Sequence, residues 1–322
     1  MHEQPSQTVL ITGGTGMIGR ALTRALLEGN YQVIILTRQV DMQKTGEGPG
    51  GLSYASWDPP GKEIDREAIA RADYIIHLAG ANVGAKRWTA RRKKQIADSR
   101  VETGKLLANV LSTSPNKVKA VISASAIGWY GPDPEVPNPK PFSEEDPPSN
   151  DFLGLTCQEW EAAIEPVTSL GIRLVKFRTG YVLGNTGGMF VEFKKPVRFG
   201  LATILGSGKQ MVSWIHLHDL VQLYLSAIRN ETMQGAYNAV APFPVSNKSL
   251  VLTLARQLKG SFFIPFYVPA FLLKWILGEM SIEVLKSATV SANRVRETGF
   301  TFAYPGIESA INRLLTAPDQ SV

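Results

Sequence analysis

The sequence predicts an α/β protein: a doubly wound parallel sheet of the Rossmann type with a smaller C-terminal substrate-side domain. Three observations carry this expectation. Short apolar runs alternate with helical patterns through the first two thirds of the chain, the order expected of a parallel sheet covered on both faces. The first run, Val9 to Ile11, breaks at once into glycines at 13, 14, 16 and 19 before a helical pattern resumes at Ala21. Beyond Leu183 the alternation loosens, and Pro- and Gly-marked turns join separate helical patterns. Residues 1–185, joined by about 212–242, are therefore expected to form the dinucleotide-binding domain, and 186–211 with 243–322 the smaller one.

The elements follow in order. A strand over 8–12 leads into a helix from about 16 to 28, which Gly29-Asn30 stops. Strands are expected at 32–37, 53–57, 74–79 and 120–125, with a long, basic helical region at about 87–111. Gly/Pro punctuation marks 131–150 as a loop, a helix bent or shortened by Pro166 spans 156–169, and a strand covers 173–178. A strand-helix pair at 212–229 and helices at 247–259, 268–278 and 307–315 complete the series.

Composition narrows the function classes. The 322 residues are 44% hydrophobic and 19% charged, an ordinary globular balance. The net charge of +6 suits an anionic ligand and is too diffuse to argue nucleic acid. The basic run at 86–94, interleaved with Trp88, reads more simply as a solvated face beside a phosphorylated cofactor. A single cysteine, Cys157, excludes an intrachain disulfide and suits a reducing compartment, so a cytoplasmic protein is expected. The apolar stretch 262–277 is interrupted by Pro265, Pro269 and Lys274, too short for a membrane span. It is expected to wall the cleft, with peripheral membrane contact as the alternative.

A strand followed by an almost bare helical turn leaves backbone N–H groups pointing at a pyrophosphate, next to the positive end of a helix dipole. Gly13, Thr15, Gly16, Met17, Ile18 and Gly19 form that expected cradle. After the second strand stand Thr37 and Arg38, with no carboxylate until Asp41. An acidic residue there would hold a free ribose hydroxyl; an arginine fork suits a 2′-phosphate, which points to NADP(H). Leu78, Ala79 and Gly80 place small residues where the backbone passes close to the nicotinamide side.

Taken together the chain resembles the extended short-chain dehydrogenase/reductases, and within them the epimerase-family branch that includes cell-division-inhibitor-like proteins. The motifs are Thr-Gly-Gly-Thr-Gly-Met-Ile-Gly at 12–19, His-Leu-Ala-Gly-Ala at 77–81 and Lys-Arg-Trp-Thr at 86–89. Ser-Ala-Ser-Ala-Ile-Gly-Trp-Tyr-Gly at 123–131, Arg-Thr-Gly-Tyr-Val-Leu-Gly at 178–184 and the run from Gly206 to His216 extend the likeness over the whole chain. The resemblance implies further cofactor contacts from Gln95, Arg100 and Val182, and relatives that often dimerise. It also implies a Ser/Thr that holds a substrate oxygen and a Tyr-x-x-x-Lys pair, in which the cation brings a tyrosine that titrates near ~10 into use. Ser125 at the end of its strand fits the first role, with Ser123 as the alternative. The pair's expected positions hold Leu153 and Cys157, a departure shared with that branch.

Tyr130, five residues past Ser125, is the substitute acid, with packing beneath the loop as its alternative. Cys157 reads as a small buried residue and His216, His218 and Asp219 as packing and helix capping, not a metal centre. Two functions stay open: an NADP(H)-dependent oxidoreductase or epimerase acting on an unidentified small molecule, or an NADP(H)-binding regulatory or scaffold protein without turnover.

Overall fold

Eight strands form one sheet in which the chain runs outwards twice from a common start. The computed structural model describes residues 6–38 and 51–316. Strand β1 (Thr8–Thr12) is followed by α1 (Met17–Glu28), β2 (Gln32–Thr37), β3 (Leu52–Asp58), β4 (Glu63–Ile64) and α2 (Arg66–Arg71). Next come β5 (Tyr74–His77), α3 (Ala90–Thr113), β6 (Ala120–Ala126), α4 (Phe152–Ile164) and β7 (Arg173–Thr179). The sheet order is β12-β7-β6-β5-β1-β2-β3-β4, where β12 is Gly235–Ala239. All pairings except β3 with β4 are parallel. The order reverses between β1 and β5, and a crevice outside the carboxyl ends of the strands at such a point is where this architecture binds ligands.

The strands are apolar runs because both faces are covered. Val9, Ile11, Val33, Ile35 and Ile76 pack on one face with α1; Leu10, Ile34, Ile75 and Val121 pack on the other. Helix starts follow capping chemistry. Asp65, Thr89 and Asp151 each accept a backbone N–H of the first turn of their helix, each worth about 1 kcal/mol. This explains two differences from the sequence expectation. The Thr89 cap leaves Lys86–Trp88 in a loop, and the Asp151 cap starts α4 at Phe152, ahead of the expected residue 156. Pro166 shortens that helix as expected, since 165–170 continue as a 3-10 turn.

The remaining elements are β8 (Tyr181–Leu183), α5 (Met189–Arg198), β9 (Leu201–Leu205), β10 (Met211–Val212), β11 (Trp214–His216) and α6 (Leu217–Arg229). After β12 come β13 (Val245–Ser246), α7 (Asn247–Lys259), β14 (Ile264–Val268), α8 (Ala270–Leu277), α9 (Ser281–Leu285), α10 (Asn293–Glu297) and α11 (Ile307–Thr316). A third core collects Phe190, Phe193, Trp214, Leu250, Leu254 and Ile311. The apolar stretch expected to wall the cleft is instead half strand and half helix, and it lies open. β14 pairs only with β9, and of α8 only Leu273 is buried. No helix among the described residues is long and apolar enough to cross a membrane.

Candidate functional site

The ends of β1 and β5 meet at the reversal point, and the glycines there are needed for the meeting. Gly13 adopts a left-handed backbone (φ 71°), and a Cβ on it would lie 3.0 Å from the Leu78 carbonyl group. A Cβ on Gly19 would come within 2.5 Å of the Gly13 carbonyl oxygen, so helix and turn touch backbone to backbone. Gly16 caps α1 without a side-chain bond, and the first turn holds no acidic residue. The N–H groups around Met17, Ile18 and Gly19 are thereby left for an anion. Thr15 stands at the rim, its carbonyl accepting from the Arg20 guanidinium at 2.7 Å.

A residue outside the expected set locks this corner. The Thr12 hydroxyl oxygen accepts from the N–H groups of Leu78 (3.1 Å) and Ala79 (3.2 Å). Its own proton therefore goes to His77 Nδ1 at 2.8 Å. His77 is then left with its proton on Nε2, facing Thr103 Oγ1 at 3.4 Å. Complete burial, which pushes its pKa down to about 4, keeps the ring neutral. The signal in the sequence was a hydroxyl and an imidazole at the ends of two apolar strands.

Arg100 approaches from α3. Its Nη1 donates to the carbonyls of Ala81 (3.1 Å) and Ile96 (2.9 Å), and its guanidinium lies 4.9 Å from the Trp160 ring centre. Gly80 makes room for it: a Cβ there would sit 3.1 Å from Arg100 Cζ. Burial lowers the Arg100 pKa to about 10, and no carboxylate among the described residues lies within ion-pair distance. Arg100 is thus a half-buried cation with no carboxylate partner among the described residues, an arrangement that suits an anionic ligand. Val182 on β8 joins the same corner, since Gly188 lies between its carbonyl and Met17. Thr37 ends β2, and Arg38 stands exposed just beyond it. Gln95 is exposed on α3, and its side chain accepts from Arg92 at 2.6 Å. Asp41, part of the ribose argument, lies outside the described residues.

Ser125 and Tyr130 come together in one buried network. The Ser125 hydroxyl donates to Glu161 Oε1 at 2.7 Å, and Arg178 grips the same carboxylate through Nε (2.9 Å) and Nη2 (3.2 Å). Arg178 also donates to the Tyr130 hydroxyl at 3.2 Å and lies 3.6 Å from the Trp129 ring centre. Tyr130 in turn donates to Asn238 Oδ1 at 2.7 Å and stacks on Phe142. Burial raises its pKa to about 12. That environment suits the packing role and opposes proton donation at neutral pH. Leu153 and Cys157 flank Gly128 on the first turns of α4. The Cys157 thiol is buried against the Ala126 carbonyl, and burial pushes its pKa up to about 12, so it is no nucleophile.

The sequence reading missed a polar cluster beside them. Lys286, with a side chain only 5% exposed, donates to Glu283 Oε1 at 2.7 Å and to the Tyr130 carbonyl at 3.3 Å, with Asp151 Oδ2 at 4.0 Å. Burial raises the Glu283 pKa above the usual carboxylate range. The Tyr181 hydroxyl donates to the Glu283 carbonyl at 3.3 Å. The available signal was a Glu-x-x-Lys pair in an otherwise apolar segment.

The histidines correct one detail. His216 itself caps α6, its Nδ1 accepting from His218 N at 3.1 Å, and the Asp219 carboxylate accepts from Ala303 and Tyr304 N–H instead. His216 ends a strand and His218 lies in the helix, so the two placed on one face of a strand by the alternation of 212–218 are in fact on different elements. No metal-binding cluster occurs among the described residues.

The sequence model of the NAD dependent epimerase/dehydratase family matches residues 9–239. The chain belongs to the NAD-dependent epimerase/dehydratase family. Residues 268–314 of this family member also match DUF1731, a domain of unknown function. An epimerase family protein of Staphylococcus saprophyticus is 36% identical over 311 residues, covering 95% of this chain and 98% of its own. One from Staphylococcus aureus strain MRSA252 is 33% identical over 312 residues, with the same two coverages. Among solved structures, the human epimerase family protein SDR39U1, crystallised with NADPH, superposes with a TM-score of 0.81 at 29% identity, over 96% of this chain and 99% of its own. A nucleoside-diphosphate sugar epimerase of Corynebacterium glutamicum gives 0.74 at 31% identity, over 96% of this chain and 58% of its own. The fold of this family member is thus that of the extended short-chain dehydrogenase/reductases, as the sequence motifs predicted.

Proposed function

We propose that this chain binds NADP(H) and uses it for hydride transfer with a small-molecule substrate. The observation that carries the cofactor is Arg100, a half-buried cation with no carboxylate partner among the described residues, standing beside the glycine cradle at the sheet's reversal point. Gly13, Gly16 and Gly19 with the N-terminus of α1 would hold the pyrophosphate, and Arg38 would take the 2′-phosphate. The NADPH bound to the human relative supports the phosphorylated form.

When bound, the nicotinamide supplies or accepts the hydride. The proton partner must come from the chain. Ser125 and Tyr130 are tied to Glu161, Arg178 and Asn238, so in this reading they hold the floor of the site. The Glu283–Lys286 pair, beside the α4 turn that carries Leu153, takes the proton-transfer role in this reading, its ammonium and carboxyl groups joined at 2.7 Å.

Mixing protein with NADPH and a panel of carbonyl compounds and nucleotide sugars, and following absorbance loss, tests the reaction. Turnover that falls at least about a hundredfold in Lys286→Met, with NADPH affinity kept, is the expected result. Arg38→Ala should weaken NADPH far more than NADH; equal losses remove the 2′-phosphate role. The second reading, cofactor binding without turnover, draws on the apolar Leu153 and buried Cys157 where the Tyr-Lys pair would stand. Tight NADPH binding with no substrate turned over would favour it.

A further inference from the structure

We propose that the open face built from the α5–β9 turn, β14 and α8 docks the protein onto an anionic lipid surface. The face is continuous through the backbone. Ile264 N–H donates to the Gly200 carbonyl at 2.8 Å, and the strand pairing that follows sets Phe266 beside Thr203. α8 begins two residues after β14 ends. Phe199 and Phe262 at one end are 85% and 87% exposed, and Phe271 and Trp275 on α8 are 74% and 76% exposed. Ile264 and Ile282 add 67% and 62%. Monomers seldom leave so much contiguous apolar surface to water.

Two features select lipid over a second copy of the chain. First, these rings stand out of the surface on successive turns. Such protrusions insert between lipid headgroups, whereas a self-complementary interface needs recesses that receive them. Second, the charges around the face do not cancel. The carboxylates on α5, after α8 and on α9 are already engaged: Glu192 with Lys195, Glu279 with Lys93 and Glu283 with Lys286. Arg198, Lys259 and Lys274 have no carboxylate partner among the described residues, so the rim carries unneutralised positive charge. Aromatic rings with interspersed lysine and arginine form the composition that settles at the headgroup layer of negatively charged membranes. The helix is far too short to span, so the contact is peripheral.

Co-sedimentation with phosphatidylcholine vesicles, and with vesicles in which phosphatidylglycerol replaces part of the phosphatidylcholine, tests this. The full chain should bind the anionic vesicles and lose that binding at high salt. Phe271→Ser/Trp275→Ser should cut partitioning at least about tenfold, and Arg198→Glu/Lys274→Glu should do the same on anionic vesicles alone. All four side chains point to solvent, so the variants should keep the melting temperature of the parent. Failure of the full chain to bind either vesicle overturns the proposal. So does a concentration-dependent dimer that Phe271→Ser/Trp275→Ser splits without vesicle binding, which would assign the face to a second copy. Neither outcome depends on hydride transfer.

Discussion

At Arg100, binding and folding can be read apart. A structural arginine in a core is matched to a carboxylate, as Arg178 is to Glu161. Arg100 instead spends its donors on two carbonyls and keeps its charge uncompensated. Removing a half-buried, unpaired charge relieves part of its desolvation, while removing a ligand's partner loses a charge-assisted bond worth about 1.5–3 kcal/mol. Arg100→Met should therefore weaken NADPH by about ten- to a hundredfold, yet leave the free protein as stable as before or more so. Fluorescence titration and thermal melting read the two effects independently. A drop in free-protein stability with NADPH affinity unchanged would show that Arg100 serves the fold alone.

At the level of elements, the first strand-turn-helix carries the most information per residue. Gly19 belongs to α1 yet packs against the turn before it, with a Cβ position 2.5 Å from the Gly13 carbonyl oxygen and 2.5 Å from Gly14 Cα. Gly19→Ala must push α1 off the turn, because backbone on both sides cannot yield. The expected result is NADPH affinity lower by at least about tenfold, with NADH affected alike because both share the pyrophosphate. Loss for NADPH alone would contradict the cradle. Local sequence made this element legible, since its glycines, apolar run and helix are contiguous. β2, β5, β6 and β7 were legible for the same reason, each being a short, largely buried run between turn signals, and half-buried β3 was placed by its turn signals, whereas the two-residue β4 was not expected. What stayed hidden was held by distance along the chain. Lys286 meets Tyr130 and Asp151 across more than a hundred residues, and no spacing in the sequence announces it. Tyr130 was correctly located near the strand end, but its partners Arg178 and Asn238 arrive from β7 and β12, so its committed hydroxyl could not be read. The exposure of α8 was hidden too, because an apolar run reads as core wherever it falls.

Across the whole molecule, one carboxylate fastens the C-terminal segment to the sheet. Asp133, in the loop after β6, accepts from Ser287 Oγ (2.7 Å), Thr289 N (2.8 Å) and Thr289 Oγ1 (2.8 Å), all buried. The same segment is gripped from its other side by Ser213, whose hydroxyl donates to the Ala288 carbonyl and accepts from Val290 N–H. Val290, Val295 and Phe302 then enter the core that also holds Val9 and Ile11 of β1. First strand and C-terminal segment thus share one apolar interior, which couples Lys286 to the glycine cradle and predicts a single cooperative unfolding transition. Asp133→Ala would leave two hydroxyls and an amide buried without acceptor. At roughly 1 kcal/mol or more each, the loss is about 3 kcal/mol, or about 4 °C for a chain of this size. If the segment supplies Glu283 and Lys286 to the reaction as proposed, the variant should also lose turnover beyond what its lower stability explains, while NADPH binding, proposed to rest on β1, α1 and α3, stays within about threefold of the parent. Calorimetry with and without NADPH measures both: one transition raised by cofactor in each protein supports the shared core, and two separated transitions in the parent chain would refute it.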